Sequence, residues 1–435
     1  MDDVISGTTA AEIADSVRGL RERGMLRPGD ALPPVRELAA TLGVNRNTAV
    51  AAYRQLAQAG LVIARGRAGT VVAGADTTAQ EGVTTDTVLR DIGSGNPDPR
   101  LIPDPTPALG RIVGRPVLYG EPVIDADLEA WSLDIARAEL GRDDVRISIT
   151  SGAVDAVERL LAQALMRDDA VALEDPCFLA SIHTVRLGGY RAVPVPVDDE
   201  GMTVDGLRAA LDAGIRAIIC TPRAQNPTGA SLSPARAAEL RAVLADHPYV
   251  LIIEDDHFSL LSRHRYSSLI GPEHRRFALV RSVSKFLGPD MCLAVAATDP
   301  TTAERLGMRL SPGTTWVSHL LQRLAHAQLT DPSVRAQIER AGAHYAERNA
   351  AFAAALTARG ILTRTADGLS LWVRMPVPAR EAAAYLMRRG WLARTGDDFR
   401  LDEAAPESHH LRLTVHDLDE ADAARLVDDL VAAST

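Results

Sequence analysis

The sequence predicts an α/β chain in two parts: three short helices and a basic hairpin, then a mostly parallel sheet covered by helices, with a smaller lobe at its C-terminal end. Three observations predict it. At 435 residues the chain is too long for one compact core. Short apolar runs alternate with helical stretches beyond residue 92, as in open sheets with crossover helices. Between Asp76 and Asp91 the chain turns to Thr, Asp and Gly with few apolar anchors, which marks a linker. The expected division is 1–75, a linker over 76–91, and a body over 92–435 whose small lobe starts at approximately 330.

In the head, residues 11–23 carry Ile13, Val17 and Leu20 at helical spacing. A turn follows at 26–30, and Pro33-Pro34 forces an extended entry into a second helix over 35–42, which Gly43 ends. A third helix starts near Asn45, carries Ala49, Tyr53 and Leu56 on one face, and ends at Gly60; Tyr53 reads as a core residue with a polar tip. The runs 61–63 and 70–72 bracket Arg65-Gly66-Arg67-Ala68-Gly69 as a basic hairpin. In the body, strands are expected at 146–149, 170–173, 217–220, 250–253, 278–280 and 293–296, and a strand pair in the small lobe at 371–373 and 411–413. In open parallel sheets ligands bind beyond the carboxyl ends of strands, so the residues just after these runs are where chemistry is sought.

Composition narrows the class. Apolar content of 46% with 24% charged residues suits a soluble globular protein, no apolar run approaches a membrane span, and no cationic leader opens the chain, so a cytoplasmic protein without a membrane partner is expected. Cys177, Cys220 and Cys292 are far apart and without metal-type spacing, which argues against disulfides and metal. Net charge is -10, yet residues 31–70 hold five arginines (Arg36, Arg46, Arg54, Arg65, Arg67) against Glu37 alone. A cationic head on an acidic body points to a local phosphate contact. The chain has a single lysine, Lys285, beside 46 arginines. An amine can lose its proton and attack a carbonyl whereas a guanidinium stays charged, so Lys285 is the candidate nucleophile.

Two helices, a turn, a third helix and a basic wing fit a major groove with phosphate or minor groove alongside. The stretches 32–39, 42–48, Tyr53 and 60–62 resemble the winged helix-turn-helix of GntR-type regulators. That resemblance implies that Arg36, Asn45, Arg46, Asn47 and Thr48, with Arg65, Arg67 and Gly69 in the wing, face a double-stranded DNA operator; a dimer would read two half-sites.

Pyridoxal 5'-phosphate needs an amine, a carboxylate at its pyridinium nitrogen, donors for its phosphate and an aromatic face. Ser282-Val283-Ser284-Lys285, Glu254-Asp255-Asp256-His257, Thr150-Ser151-Gly152-Ala153 and Glu174-Asp175-Pro176-Cys177-Phe178 offer these after expected strands. In this order they resemble fold-type I aminotransferases, and the fusion resembles the MocR subfamily of GntR regulators. Residues 221–229, 255–258 and 281–290 are particularly similar to its PtsJ branch, which implies control of pyridoxal kinase and vitamin B6 supply. The resemblance implies the following roles: Lys285 as the Schiff-base lysine, Asp255 at the ring nitrogen, Asn226 and His257 at the phenolic oxygen, Phe178 stacking, and Ser151, Gly152, Ala153 and Ser282 at the phosphate. It places Arg412 at a substrate or effector carboxylate, and Tyr119 and Ser318 at the phosphate of a neighbouring subunit, hence a homodimer. There are two departures. His257 stands where most of the family has tyrosine, and Cys292 stands where a phosphate-clamping arginine is expected. Loss of such a charge-assisted contact costs about 1.5–3 kcal/mol, roughly tenfold to a hundredfold in affinity, unless Arg281 compensates. The leading reading is a transcription regulator that uses pyridoxal phosphate, or an amino compound reacting with it, as small-molecule effector. A working aminotransferase with an accessory DNA-binding head, and a DNA-binding protein whose body no longer takes cofactor, are the alternatives.

Overall fold

A computed structural model describes residues 4–27, 29–59, 61–64, 69–72, 88–112, 115–311, 316–402 and 405–434, without the side chains of 58, 63 and 64. They fall into two compact units, one made chiefly of the head and the other of the body. Arg65, Arg67 and most of the expected linker, 76–87, lie outside the described residues.

The head contains α1 (Ala10–Glu22), β1 (Ala31–Leu32), α2 (Val35–Leu42), α3 (Arg46–Gln58), β2 (Val62–Ala64) and β3 (Thr70–Val72). Each helix starts or stops where its backbone groups find substitutes. Thr9 and Glu12 form a capping box on α1, Gly43 takes a left-handed conformation after α2, and the Asn45 side chain accepts from the Asn47 amide to cap α3. The strands pair antiparallel in the order β1-β3-β2. Ile13, Val17, Leu38, Ala49, Tyr53, Leu56 and Val72 form the core, and the Tyr53 hydroxyl donates to the Pro33 carbonyl at 2.7 Å. A buried ring with a satisfied hydroxyl is the arrangement expected of it.

The body begins with β4 (Arg90–Asp91), so the strand starts within the last residues of the expected linker. Next come α4 (Thr106–Leu109), α5 (Ala126–Leu140), β5 (Arg146–Thr150), α6 (Ala153–Ala164), β6 (Ala170–Asp175), α7 (Leu179–Leu187), β7 (Arg191–Asp198), β8 (Gly201–Met202), α8 (Val204–Asp212), β9 (Ile215–Cys220) and α9 (Pro234–Leu244). The chain continues through β10 (Leu251–Asp255), β11 (Phe277–Ser282), α10 (Ser284–Leu287), β12 (Ala294–Thr298), α11 (Pro300–Leu310), α12 (His319–Leu329) and α13 (Pro332–Ala358). The small lobe adds β13 (Leu371–Arg374), α14 (Ala379–Arg388), β14 (Trp391–Leu392), β15 (Arg394–Thr395), β16 (His410–Leu413) and α15 (Glu420–Ala432).

The main sheet has the order β5-β12-β11-β10-β9-β6-β7-β8, with β12 and β8 antiparallel to the rest. Its strands are apolar on both faces because both are covered. Val171, Leu173, Ile253, Ala278 and Val280 pack on the α6 side, while Ala172, Ile252, Phe277 and Leu279 join the core on the other face. The carboxyl ends of β5, β6, β9, β10 and β11 therefore meet on one edge. In the small lobe β13-β16-β15 form an antiparallel sheet, and β14 pairs parallel with β4.

Strand β7 was not expected because Pro194 and Pro196 interrupt it. It tolerates them because its outer neighbour β8 pairs only with Val197 and Asp198. The long helix α13 crosses close to the turn at Ser259–Leu261, where a Cβ on Gly342 would lie 2.3 Å from the Leu261 carbonyl oxygen. Gly342→Ala is expected to lose about 1–2 kcal/mol net of its gain in helix propensity, measured as a lower urea midpoint for the body.

Candidate functional site

On the head, Arg36, the α3 cap Asn45 and the first helical residues Arg46 and Asn47 are exposed and Thr48 is half-buried. They stand opposite the apolar face formed by Ala49, Ala52 and Leu56. Gly69 is exposed at the start of the returning wing strand with φ of 87°. A short exposed helix start with cationic and amide side chains has the chemistry to reach base edges.

In the body, the strand ends enclose a cavity of about 220 Å³ lined by Ser151, Gly152, Ala153, Val154, Phe178, Asn226, Asp255, His257, Ser282, Ser284 and Lys285. It thus brings together nine of the residues named from the sequence. The two-residue period of the strands explains which side chains enter. Asp255 continues the row of Leu251 and Ile253, and Ser282 that of Ala278 and Val280, both on the α6 side. Glu254 and Asp256 point to the opposite face. There Glu254 accepts from the Tyr266 and Ser268 hydroxyls and the Leu269 amide. Asp256 is clamped by Arg223 and Arg281.

Burial opposes ionisation of Asp256, but the Arg281 and Arg223 guanidiniums outweigh it and hold its carboxyl below the ordinary value. Asp255 has no such clamp. Burial, reinforced by the Asp256 charge and offset in part by Lys285, pushes it up to about 7. Its Oδ1 atom is buried without a hydrogen-bond partner among the described residues. A buried acceptor of this kind calls for a donor, and a cationic ring N–H supplies one.

At the other end, Gly152 with φ of 97° opens α6 and provides no side-chain cap. The first amides of a twelve-residue helix and the hydroxyls of Ser151, Ser282 and Ser284 lie at this end, where the Ser151 amide donates to Asp155 and no arginine lines the cavity among the described residues; such donors suit an anion. Arg281 does not compensate for Cys292. It sits on the opposite face in ion pairs with Asp256 and Glu139 and over the Tyr266 ring. Cys292 is exposed and does not line the cavity. Neither Tyr119, which is exposed beside Trp316, nor Ser318, which caps α12, lies in the cavity of its own chain.

A second, smaller space shares Asn226, His257 and Lys285 with the first as lining residues and is bounded by Gly95, Ser370 and Arg412. Arg412 is fully buried over the Phe399 ring, donating to Asn226 Oδ1 at 3.2 Å and to the Gly93 carbonyl. The Lys285 amine donates to the Gly95 carbonyl at 2.9 Å. Gly93, Gly95, Ser284 and Ser370 were missed in the sequence. The pair of glycines just after the linker was the available signal, since closely spaced glycines mark backbone held against other groups.

The bacterial regulatory proteins, gntR family, match residues 9–72, and aminotransferase class I and II matches residues 118–430. The chain is 45% identical over 98% of its length, and 99% of the relative's, to the vitamin B6 salvage pathway transcriptional repressor PtsJ of Salmonella typhimurium. It is 29% identical to the pyridoxine biosynthesis transcriptional regulator PdxR of Corynebacterium glutamicum, over 62% of this chain and 61% of that one. Kynurenine aminotransferase of Pyrococcus horikoshii superposes with a TM-score of 0.72 at 19% identity, covering 80% of this chain and 91% of the other. LysN, the α-aminoadipate aminotransferase of Thermus thermophilus, gives 0.70 at 23%, covering 80% and 92%. No described helix is long and apolar enough to cross a membrane.

The carboxyl of Asp255 keeps its proton in the folded chain up to about pH 7 but loses it near 4 when unfolded. Its contribution to stability is therefore full below about pH 4 and is lost as pH rises to about 7. Asp255→Asn should remove this dependence, so that its urea midpoint gains on the parent chain across that window and runs parallel above it.

Proposed function

We propose that this chain, which belongs to the GntR regulators that carry a class I and II aminotransferase body, binds pyridoxal 5'-phosphate as the effector or effector-sensing cofactor of a vitamin B6-responsive transcription regulator. One observation carries the reading: the only lysine of the chain and a buried carboxylate oxygen without a hydrogen-bond partner among the described residues face one cavity at the carboxyl edge of the sheet. The residues fit the cofactor. Lys285 would hold its aldehyde, Asp255 its ring nitrogen, Asn226 and His257 its phenolic oxygen, Phe178 its ring face, and Ser151, Gly152, Ala153 and Ser282 its phosphate. When bound, the cofactor supplies an electrophilic carbon for amines and an electron-withdrawing ring.

The chain's own part is positional. Desolvated Asp255 favours a cationic partner, and the strand ends fix the amine and carboxylate across one space. Arg412 would receive the carboxylate of an amino compound. Tyr119, already exposed, and Ser318 would reach a neighbouring subunit's phosphate in a homodimer, and Arg36, Asn45, Arg46, Asn47, Thr48, Arg65, Arg67 and Gly69 would face a DNA operator with two half-sites. A DNA-bound regulator of this kind works in the cytoplasm.

The rival reading, an aminotransferase with an accessory head, is favoured by Arg412 and Asn226 lying together beside Lys285. Against it stands the phosphate end of the cavity, which has no guanidinium among its described lining residues and suits reversible sensing. Sustained transamination of an amino acid and a keto acid, at rates near about 10 per second, would establish the rival.

The test is a titration of the full chain with pyridoxal phosphate, followed by borohydride reduction and peptide mass mapping. One cofactor on the peptide of Lys285, absent in Lys285→Ala, is expected; an unlabelled parent chain at saturating cofactor would sink the reading. Asp255→Asn should bind the cofactor tenfold to a hundredfold more weakly, about 1.5–3 kcal/mol, measured by the same titration. On a DNA site selected from a random library by the full chain, Arg46→Ala should weaken binding and lower the salt slope by about 1 if the contact is to phosphate.

A further inference from the structure

We propose that Asp256 is a positioning residue of the cofactor site: from the face of the sheet opposite the cavity, its carboxylate ties together the three strand ends that carry Asn226, Asp255 and Lys285. The inference rests on the cofactor-binding reading above. Its starting point is a limit of the sheet itself. The parallel pairing of β9, β10 and β11 runs as far as Cys220, Asp255 and Val280. Asn226 lies beyond β9, which ends at Cys220, and Lys285 beyond β11, which ends at Ser282. Strand pairing therefore does not fix these two side chains against Asp255.

Asp256 does so from the first residue after β10. Its amide donates to the Val280 carbonyl at 2.9 Å. One carboxylate oxygen accepts from Arg223 Nε at 3.0 Å, and the other accepts from Arg223 Nη2 and from Arg281 Nε at 2.8 Å. Arg223 stands on the loop that leads from β9 to Asn226, and Arg281 lies in β11 just before Ser282. The Asp256 side chain is fully buried and both arginines are largely so. Each arginine is also held from outside: Arg281 pairs with Glu139 of α5, and Arg223 donates to the His264 carbonyl at 3.4 Å. The Tyr266 ring lies 5.4 Å from the Arg223 guanidinium and 4.9 Å from that of Arg281, and its hydroxyl donates to Glu254. A bidentate pair fixes direction as well as distance. Two arms that share one buried carboxylate do not move independently, because displacing either leaves a buried charge short of a partner.

The same cluster sets the charge beside the cavity. After burial, the Asp256 charge is what pushes the Asp255 carboxyl up, with Lys285 acting against it. The charged groups around Asp256 are Arg223 on the loop after β9, Arg281 on β11, Glu139 behind Arg281 on α5, and Glu254 beyond Tyr266 on β10. Removing a negative charge from this cluster disfavours a cationic group beside Asp255, and removing a positive one favours it.

The experiment uses the full-length chain and two variants that cut the cluster with opposite changes of charge, Asp256→Asn and Arg281→Gln. Hydrogen exchange is followed without cofactor; pyridoxal phosphate is then titrated, and the pH midpoint at which the bound cofactor loses its proton is read from its absorbance. Both variants should exchange several-fold faster in peptides covering 222–229 and 282–287 with β6 unchanged, and both should bind the cofactor several-fold more weakly. The midpoint should fall in Asp256→Asn and rise in Arg281→Gln, opposite signs that a shared loss of packing would not give. Arg281→Gln keeps the Asp256 pair with Arg223, so if Asp256→Asn does not fold, the rise in Arg281→Gln decides alone.

Exchange that quickens equally in β6, midpoints that move the same way, or unchanged exchange and affinity would each overturn the positioning role. Those results leave the cofactor reading intact, because the parent chain still carries cofactor on Lys285. A parent chain that takes no cofactor at saturation would overturn the two together.

Discussion

Three consecutive carboxylates at the end of β10 set the terms for the rest of the body. Buried carboxylates need partners, and the pleat of the strand sends Glu254 and Asp256 to one face and Asp255 to the other. On the first face, Tyr266, Ser268, Arg223 and Arg281 satisfy both acids. The second face leaves Asp255 with an oxygen that has no hydrogen-bond partner among the described residues, and that oxygen faces the cavity. This division also decides the fate of Arg281. Turning it toward the phosphate end would take Glu139's partner away and leave the buried Asp256 with Arg223 alone, which weakens the network that holds both acids.

Much of this is legible in the amino-acid sequence alone. Parallel strands buried on both faces read as continuous apolar runs, which is why 146–149, 170–173, 250–253 and 278–280 stand out and why the residues after them point to the site. The single lysine is visible by counting. What stays hidden depends on partners distant in sequence. Strand β7 is masked by prolines that only its position beside a two-residue strand excuses, and β4, β14 and β15 are two residues each, too short for any periodicity. The direction of Arg281 follows from register and from Glu139, 142 residues away. The place of Gly93 and Gly95 is defined by Lys285, Arg412 and Thr414, which lie at least 190 residues further along.

A phosphate seat of the kind proposed, with no guanidinium among the described lining residues, would have a consequence of its own. Helix amides and hydroxyls recognise the shape and charge of a phosphate, yet each neutral donor contributes less than a charge-assisted one. An enzyme that keeps its cofactor through every turnover gains from the stronger clamp. A protein that reports cofactor level must bind and release it within the range over which that level varies, and a moderated hold serves that end.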